Sequence, residues 1–153
     1  MFDPVLHATQ GISFCDADTI EKAKQILLPQ THIITPNQVE LQQLASAQAS
    51  ESENALALCH LGSNFVFVTG ADQDSEQIKN TLYHSAGLVE QFSWQKLPHS
   101  FHGSGCTLSS AIACYIALGF NEIEAVKKAQ EYTWQALKQA DVIGAGQHIP
   151  KRM

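Results

Sequence analysis

The sequence predicts an α/β fold, layered, with a largely parallel sheet. Three observations point there. Apolar runs of strand length alternate with helix-period patterns through the first seventy or so residues. A pair of β-like runs joined by a short glycine turn comes next, and two helical segments close the chain.

Met1 and Phe2 run into Asp3-Pro4-Val5, which resembles the end of a strand, and a loop extends through Gly11. Asp18 with Glu21 forms a capping-box pattern, and Ile20, Ala23, Ile26 and Leu27 give a helical stripe that Pro29 ends. His32 to Thr35 is a short strand stopped by Pro36. Asn37 to Ala45 is a helix with Val39, Leu41 and Leu44 expected inward. Ser50 and Glu53 make a second capping box, opening a helix to about Leu61 with Gly62 as its stop. Asn64 to Thr69 holds Phe-Val-Phe-Val, the continuous apolar run of a buried parallel strand. Lys79 to His84 and Leu88 to Trp94, joined by Ser85-Ala86-Gly87, predict a hairpin. Cys106 to Leu118 is helical with Gly119 as its stop, and Asn121 with Glu124 gives a third capping box, opening a long helix to about Ala140.

Composition excludes several classes. The chain has 153 residues, 44% apolar and 16% charged, enough for one globular domain and too apolar for disorder. Nine Lys+Arg against fifteen Asp+Glu give a net charge of -6, so a general nucleic-acid binder is not expected. The most apolar stretch, Leu108 to Phe120, is too short and too polar to span a bilayer. The opening MFDPVLHATQG lacks the basic start and apolar run of a secretory signal. Cys15, Cys59, Cys106 and Cys114 include no CxxC pair, which fits a reducing, cytoplasmic setting. Cys15, Cys59 and Cys114 read as structural, Cys114 on one face with Thr107 and Ala111. His99 and His102 lack the further ligands of a zinc site.

In a layered α/β fold, ligands gather at the carboxyl ends of parallel strands. Three loops qualify: Asp3 to Gly11, Thr35 to Glu40, and Thr69 to Asp74. A fourth candidate is Gly103-Ser104-Gly105-Cys106-Thr107 at the start of a helix. Two glycines around one small residue let backbone N–H groups converge, and a helix N-terminus adds about half a positive charge. That suits phosphate; a flexible loop before a helix is the plainer reading. Cys106 in the first turn is either a thiolate base or nucleophile with its pKa lowered by the dipole, or a structural cysteine. Asn37 and Glu40, three apart, share a first helical turn. They suit water-mediated Mg²⁺, or simply a cap and a first-turn acid, and the cap is favoured on spacing alone. Thr69-Gly70 either brings a hydroxyl and bare backbone to a ligand or is an ordinary strand-end turn.

Taken together, Asp3-Pro4-Val5, Thr35-Pro36-Asn37 with Glu40, Val68-Thr69-Gly70 and the run from His102 to Ala113 (HGSGCTLSSAIA), in this order, resemble the phosphomethylpyrimidine kinases of thiamine biosynthesis. These belong to the ribokinase-like superfamily. The resemblance covers essentially the whole chain. It is most specific from Phe101 to Leu118, with Gly119, Ala125 and Val126 after it, and extends to Gly144, Gly146, Pro150 and Arg152.

The resemblance implies a three-layer α/β/α sandwich with a mostly parallel sheet. Residues 1–153 would form a single partial kinase domain, without the first strands and Gly-rich loop that the family carries before this point. It implies ATP-dependent phosphorylation of hydroxymethylpyrimidine and then of its monophosphate, with Mg²⁺, in the cytoplasm, and allows a homodimer. Gly103, Ser104 and Gly105 would form the anion hole, and Cys106 the catalytic base. Asn37 and Glu40 would handle Mg²⁺ and phosphates, Thr69 and Gly70 would line the nucleotide site, and Asp3 would be an acidic partner near the metal. Ribokinases and pyridoxal kinases carry aspartate at the position of Cys106, so this cysteine favours the pyrimidine branch. The acidic Ala71-Asp72-Gln73-Asp74 departs from a family pattern that often has a second glycine and a basic residue there. The alternative is a catalytically silent fragment that keeps a nucleotide- or anion-binding module.

Overall fold

The computed structural model describes residues 1–7, 13–70, 76–143 and 146–152. Gly11, Ala71 to Asp74 and Gly144 lie outside them. The chain forms two compact units, Met1–Lys96 and Leu97–Met153.

The first unit is a sheet with three helices. Helix α1 spans Ala17–Ile26, and a short 3-10 turn comes after it at Leu28–Gln30 with Pro29 in it. Strand β1 is Ile33–Ile34, helix α2 is Gln38–Leu44, helix α3 is Glu51–His60 and strand β2 is Phe65–Val68. The hairpin is β3, Gln77–His84, and β4, Gly87–Gln95. The sheet order is β1-β2-β3-β4, with β1 parallel to β2 and the other two pairings antiparallel. Phe2 adds a parallel bridge to Ile34, and Asn37 another to Thr69. The sheet is therefore mixed, and among the described residues parallel pairing within it is confined to β1, β2 and the short segments that flank them. The hairpin supplies the difference, because a two-residue turn can join only antiparallel neighbours.

The first unit's core forms where the apolar faces of β1, β2, α2 and α3 meet. Leu28, Ile34, Leu41, Leu44, Leu58 and Val66 are fully buried there, with Val68 and Tyr83 beside them. Gly62, at φ +119° after α3, is required twice over: a Cβ there would stand 2.6 Å from the Cα of Pro29. The capping box of α3 is complete, with Ser50 and Glu53 each bonded to the other's backbone N–H.

Some side chains depart from the pattern. The cap of α1 is Asp16, which accepts from the Thr19 N–H at 2.8 Å, while Asp18 lies in the first turn and pairs with Lys22. The carboxylate one residue before the helix reaches the free N–H groups, which a carboxylate inside the turn cannot do. Ile26 and Leu27 are exposed, since α1 buries no residue, although Ile20 packs on the core. Val39 is exposed too, lying on the opposite side of α2 from Leu41 and Leu44.

The second unit is a helical pair closed by the tail. Helix α4 is Ser104–Ala117 and α5 is Glu122–Lys138, capped by Asn121 accepting from the Glu124 N–H at 3.0 Å. Gly119, at φ +90°, makes the turn between them. The two helices pack together, and Leu108, Ala111 and Ile112 of α4 and Ala125, Val126 and Ala129 of α5 are buried. The tail then runs back along the segment that leads into α4: His102 N–H bonds His148 O at 3.0 Å, and His148 N–H bonds Ser100 O at 3.0 Å. Among the described residues no helix is long and apolar enough to cross a membrane.

Candidate active site

The expected site residues fall into two groups, one in each unit. In the first unit the carboxyl ends of β1 and β2 gather Asp3, Thr35, Asn37, Glu40, Thr69 and Gly70. Thr69 N–H donates to Pro36 O at 3.0 Å, which brings the two strand ends together. Thr35 Oγ1 lies 3.4 Å from Asp3 Oδ1.

The Asn37–Glu40 pair forms a full capping box. Glu40 N–H donates to Asn37 Oδ1 and Asn37 N–H to Glu40 Oε2, each at 2.9 Å. Glu40 is buried, unusual for a carboxylate. The box accounts for that burial, because it satisfies one of the acid's oxygens and two of the helix's otherwise orphaned N–H groups. Gly70 likewise has a structural reason: a Cβ would fall 2.2 Å from the Lys79 carbonyl oxygen, and its N–H donates to the buried Asn80 Oδ1 at 3.0 Å.

Among the described residues no three His, Cys, Asp or Glu side chains form a metal cage. Mg²⁺ on a nucleotide does not need one, because it keeps several waters and phosphate oxygens and takes about one or two carboxylates from the protein. Asp3 and Glu40 are carboxylates at this end of the sheet, by residue type the kind of donor such an ion takes, and Glu40 already spends one oxygen on the Asn37 N–H.

The second unit holds the other group. Gly103 caps α4 at φ +82° and ψ +15° with no side-chain cap bond, so Ser104, Gly105 and Cys106 form the first helical turn. The first N–H groups of a helix find no acceptor within it and carry the positive end of its dipole. Thr107 closes the turn: its N–H and its Oγ1 both donate to Gly103 O, at 3.0 and 2.7 Å. A Cβ on Gly105 would meet nothing within 4 Å, so the turn faces open space. Cys106 is exposed, as expected of a working thiol and not of a packed one.

A hollow of about 420 Å³ runs along α4 from Cys106 past Ser110 and Cys114 to Leu118, with Tyr132 of α5 and Arg152 on its other side. Cys114 is therefore exposed on the surface and not in the core. Its spacing from Thr107 and Ala111 describes a helix face, and the hollow opens along that side of the helix. Cys59 is buried as expected, Cys15 is half-buried, and none of the four cysteines is joined in a disulfide.

Arg152 has a place that its sequence context did not reveal. Its Nε donates to Thr107 Oγ1 at 3.0 Å, and its Nη2 lies 3.4 Å from Gly103 O. The partners are 45 and 49 residues away in the chain, so no local spacing signals the contact.

The phosphomethylpyrimidine kinase family profile matches residues 1–151. The chain belongs to this family. A curated relative, the hydroxymethylpyrimidine/phosphomethylpyrimidine kinase of Rhizobium meliloti (strain 1021), is 31% identical over 95% of this chain and 56% of its own length. Among solved structures, the pyridoxal kinase of Staphylococcus aureus in complex with ADP superposes with a TM-score of 0.86 at 23% identity, covering 98% of this chain and 56% of that one. The phosphomethylpyrimidine kinase of Clostridium difficile 630 superposes with a TM-score of 0.70 at 28% identity, covering 88% and 55%. The fold is thus the ribokinase-like α/β class. The chain spans about half the length of these family members.

Proposed function

We propose that this chain carries phosphoryl-transfer machinery for hydroxymethylpyrimidine and its monophosphate, with Mg-ATP as donor, in the cytoplasm, and that its two units are parts of one kinase domain. The observation that carries the reading is the Gly103 turn: a left-handed glycine opens α4 and sets Ser104, Gly105 and an exposed Cys106 in its first turn. That is the arrangement an incoming phosphate requires, on a chain of this family. The complexes of the pyridoxal kinase relatives with ADP and with AMP-PCP support nucleotide use.

The chemistry rests on what each group supplies. In the first step the alcohol oxygen bonds to the γ-phosphorus as the bond to the β–γ bridging oxygen breaks, and ADP leaves. The alcohol's proton goes to the Cys106 thiolate. The first-turn N–H groups of α4 bind the equatorial oxygens of the transferring group, where positioning and charge stabilisation do most of the work. Asp3, Asn37 and Glu40 would receive Mg²⁺ through its waters, and Thr69 and Gly70 would border the nucleotide. In the second step the attacking oxygen belongs to a phosphate monoester, largely ionised at neutral pH, so the base has less to do.

The test is ADP release by the purified 153-residue chain with Mg-ATP, given hydroxymethylpyrimidine and its monophosphate separately. Turnover that needs Mg²⁺ and falls in Cys106→Ala is expected. Absence of turnover from a chain shown to be folded would overturn the reading. It would favour an anion-binding module without activity, the second reading, which the share of the relatives' length already motivates. Light scattering on the same sample checks for a homodimer.

A further inference from the structure

We propose that Arg152 is a positioning residue for the anion-binding turn, acting through Thr107 and the Gly103 carbonyl. The inference rests on the reading of Gly103–Cys106 as the phosphate site. Three hydrogen bonds form a closed ring. Arg152 Nε donates to Thr107 Oγ1, that hydroxyl donates to Gly103 O, and Arg152 Nη2 reaches the same carbonyl. Thr107 is buried, so its hydroxyl depends on these partners. The ring holds the peptide whose orientation decides where the Ser104, Gly105 and Cys106 N–H groups point. The contact is close: a Cβ at position 103 would stand 2.6 Å from Arg152 Nη2, which a flexible side chain could relieve by shifting, so glycine is needed there for its positive φ of +82°.

The side chain arrives on a fixed backbone. Lys151 N–H bonds Ala136 O at 2.9 Å, Asp141 and Ile149 exchange a pair of bonds at 2.9 Å, and Gln147 Nε2 reaches Phe101 O at 3.3 Å. The tail is thereby laced to both α5 and the segment leading into α4. Among the described residues Arg152 pairs with no carboxylate, and its two bonds leave three of a guanidinium's five N–H groups to spare. A guanidinium that pairs with no described carboxylate, beside a helix N-terminus, matches a dianionic ligand. The planar fork, and not the charge alone, makes the two contacts on the turn, and lysine cannot reproduce them.

The experiment titrates inorganic phosphate, at ionic strength held constant with KCl, into ¹⁵N-labelled chain and tracks the amide signals of residues 104–106. In the wild type these signals shift saturably. Arg152→Gln and Arg152→Lys each weaken the apparent phosphate affinity by about tenfold, while the amide spectrum of the remaining residues is retained. Thr107→Val gives a similar loss, the double variant Thr107→Val/Arg152→Gln is no worse than either alone, and Thr107→Ser restores most of the affinity. Undiminished affinity in Arg152→Gln overturns the proposal and leaves the site reading standing. Full rescue by lysine, or additive losses in the double variant, also overturns it, since charge alone would then suffice. No phosphate-dependent shift in the wild type overturns the site reading itself. Should Thr107→Val fail to fold, the Arg152 pair with Thr107→Ser still decides the matter.

Discussion

The Asn37–Glu40 corner in the first unit and the Gly103–Cys106 turn in the second are built from the same parts, a helix N-terminus with glycine and polar residues beside it. They use those parts in opposite ways. At the first, the fold consumes them: Asn37 and Glu40 cap one another, and Gly70 is demanded by the Lys79 carbonyl. At the second, the cap is a glycine with no side-chain bond, and the turn it opens looks out on open space at Gly105. A motif residue with a complete set of internal partners owes its identity first to folding. One whose groups face outward owes it to something else.

The largest test of this contrast is Cys106→Ala. An exposed thiol contributes little to packing, so unfolding by urea should be nearly unchanged. Loss of a general base should slow phosphorylation of the alcohol by about 10²–10⁴-fold. The monophosphate step should lose less, because its oxygen is already ionised. Equal losses in the two steps would remove Cys106 from the base position.

The glycines come next. Gly70→Ala places a methyl against a strand carbonyl at 2.2 Å. Overpacking of this kind costs about 1–3 kcal/mol, and a backbone neighbour that cannot step aside puts it at the upper end. Gly105→Ala meets nothing within 4 Å and replaces a helical glycine. It should gain up to about 1 kcal/mol of stability while losing phosphate affinity. Urea midpoints with phosphate titrations on both variants separate a glycine kept for packing from one kept for a ligand. A stable, fully binding Gly105→Ala would erase the distinction.

A smaller effect is expected at Asn37. Removing an N-cap costs about 1 kcal/mol, so Asn37→Ala should lower stability by that amount, and Asn37→Ser should recover it because serine caps equally well. If turnover returns with the cap in Asn37→Ser, the amide has no chemical task. If stability returns and turnover does not, Asn37 acts on the nucleotide or its metal as well.

Much of this fold was legible because it is local. The capping box at Ser50, the cap at Asn37, the Gly62 and Gly119 stops and the hairpin at Ser85-Ala86 are decided within a few residues, and each forms where the pattern placed it, with Glu40 completing the Asn37 cap into a full box. The family motif was legible for the same reason. What the pattern could not supply is the partner of a face. Ile20, Ala23, Ile26 and Leu27 make a sound helical stripe, yet only contacts elsewhere decide that Ile20 packs on the core while Ile26 and Leu27 stay exposed. The exposure of Val39 needs no distant contact, since about 100° per residue already sets it roughly opposite Leu41 and Leu44. Cys114 lies on one side of α4 with Thr107 and Ala111, and periodicity alone does not say whether that side is covered. Arg152 is the strongest case, a basic residue whose partners lie far back along the chain.

The smallest effect separates the two units through their cysteines. Burial pushes the Cys59 thiol up to about 11. In the unfolded chain a thiol ionises near about 8.5. Between these values the unfolded state has lost a proton that the folded state still holds, so stability declines as pH rises through that window and is fully present below it. Tyr83 acts in the same direction from about pH 10, the ordinary phenol value, since its pKa is raised by burial and then by its bond to Glu51. Cys59→Ala should therefore flatten the fall in stability between about pH 8.5 and 10 and leave the tyrosine part, which begins near about pH 10. Mass-resolved alkylation gives the companion readout. In the native chain iodoacetamide should modify the exposed Cys106 and Cys114 and spare Cys59 until the first unit unfolds. Early modification of Cys59 would mean that the first unit opens locally, and that the contrast between a closed corner and an open turn is one of dynamics as much as of design.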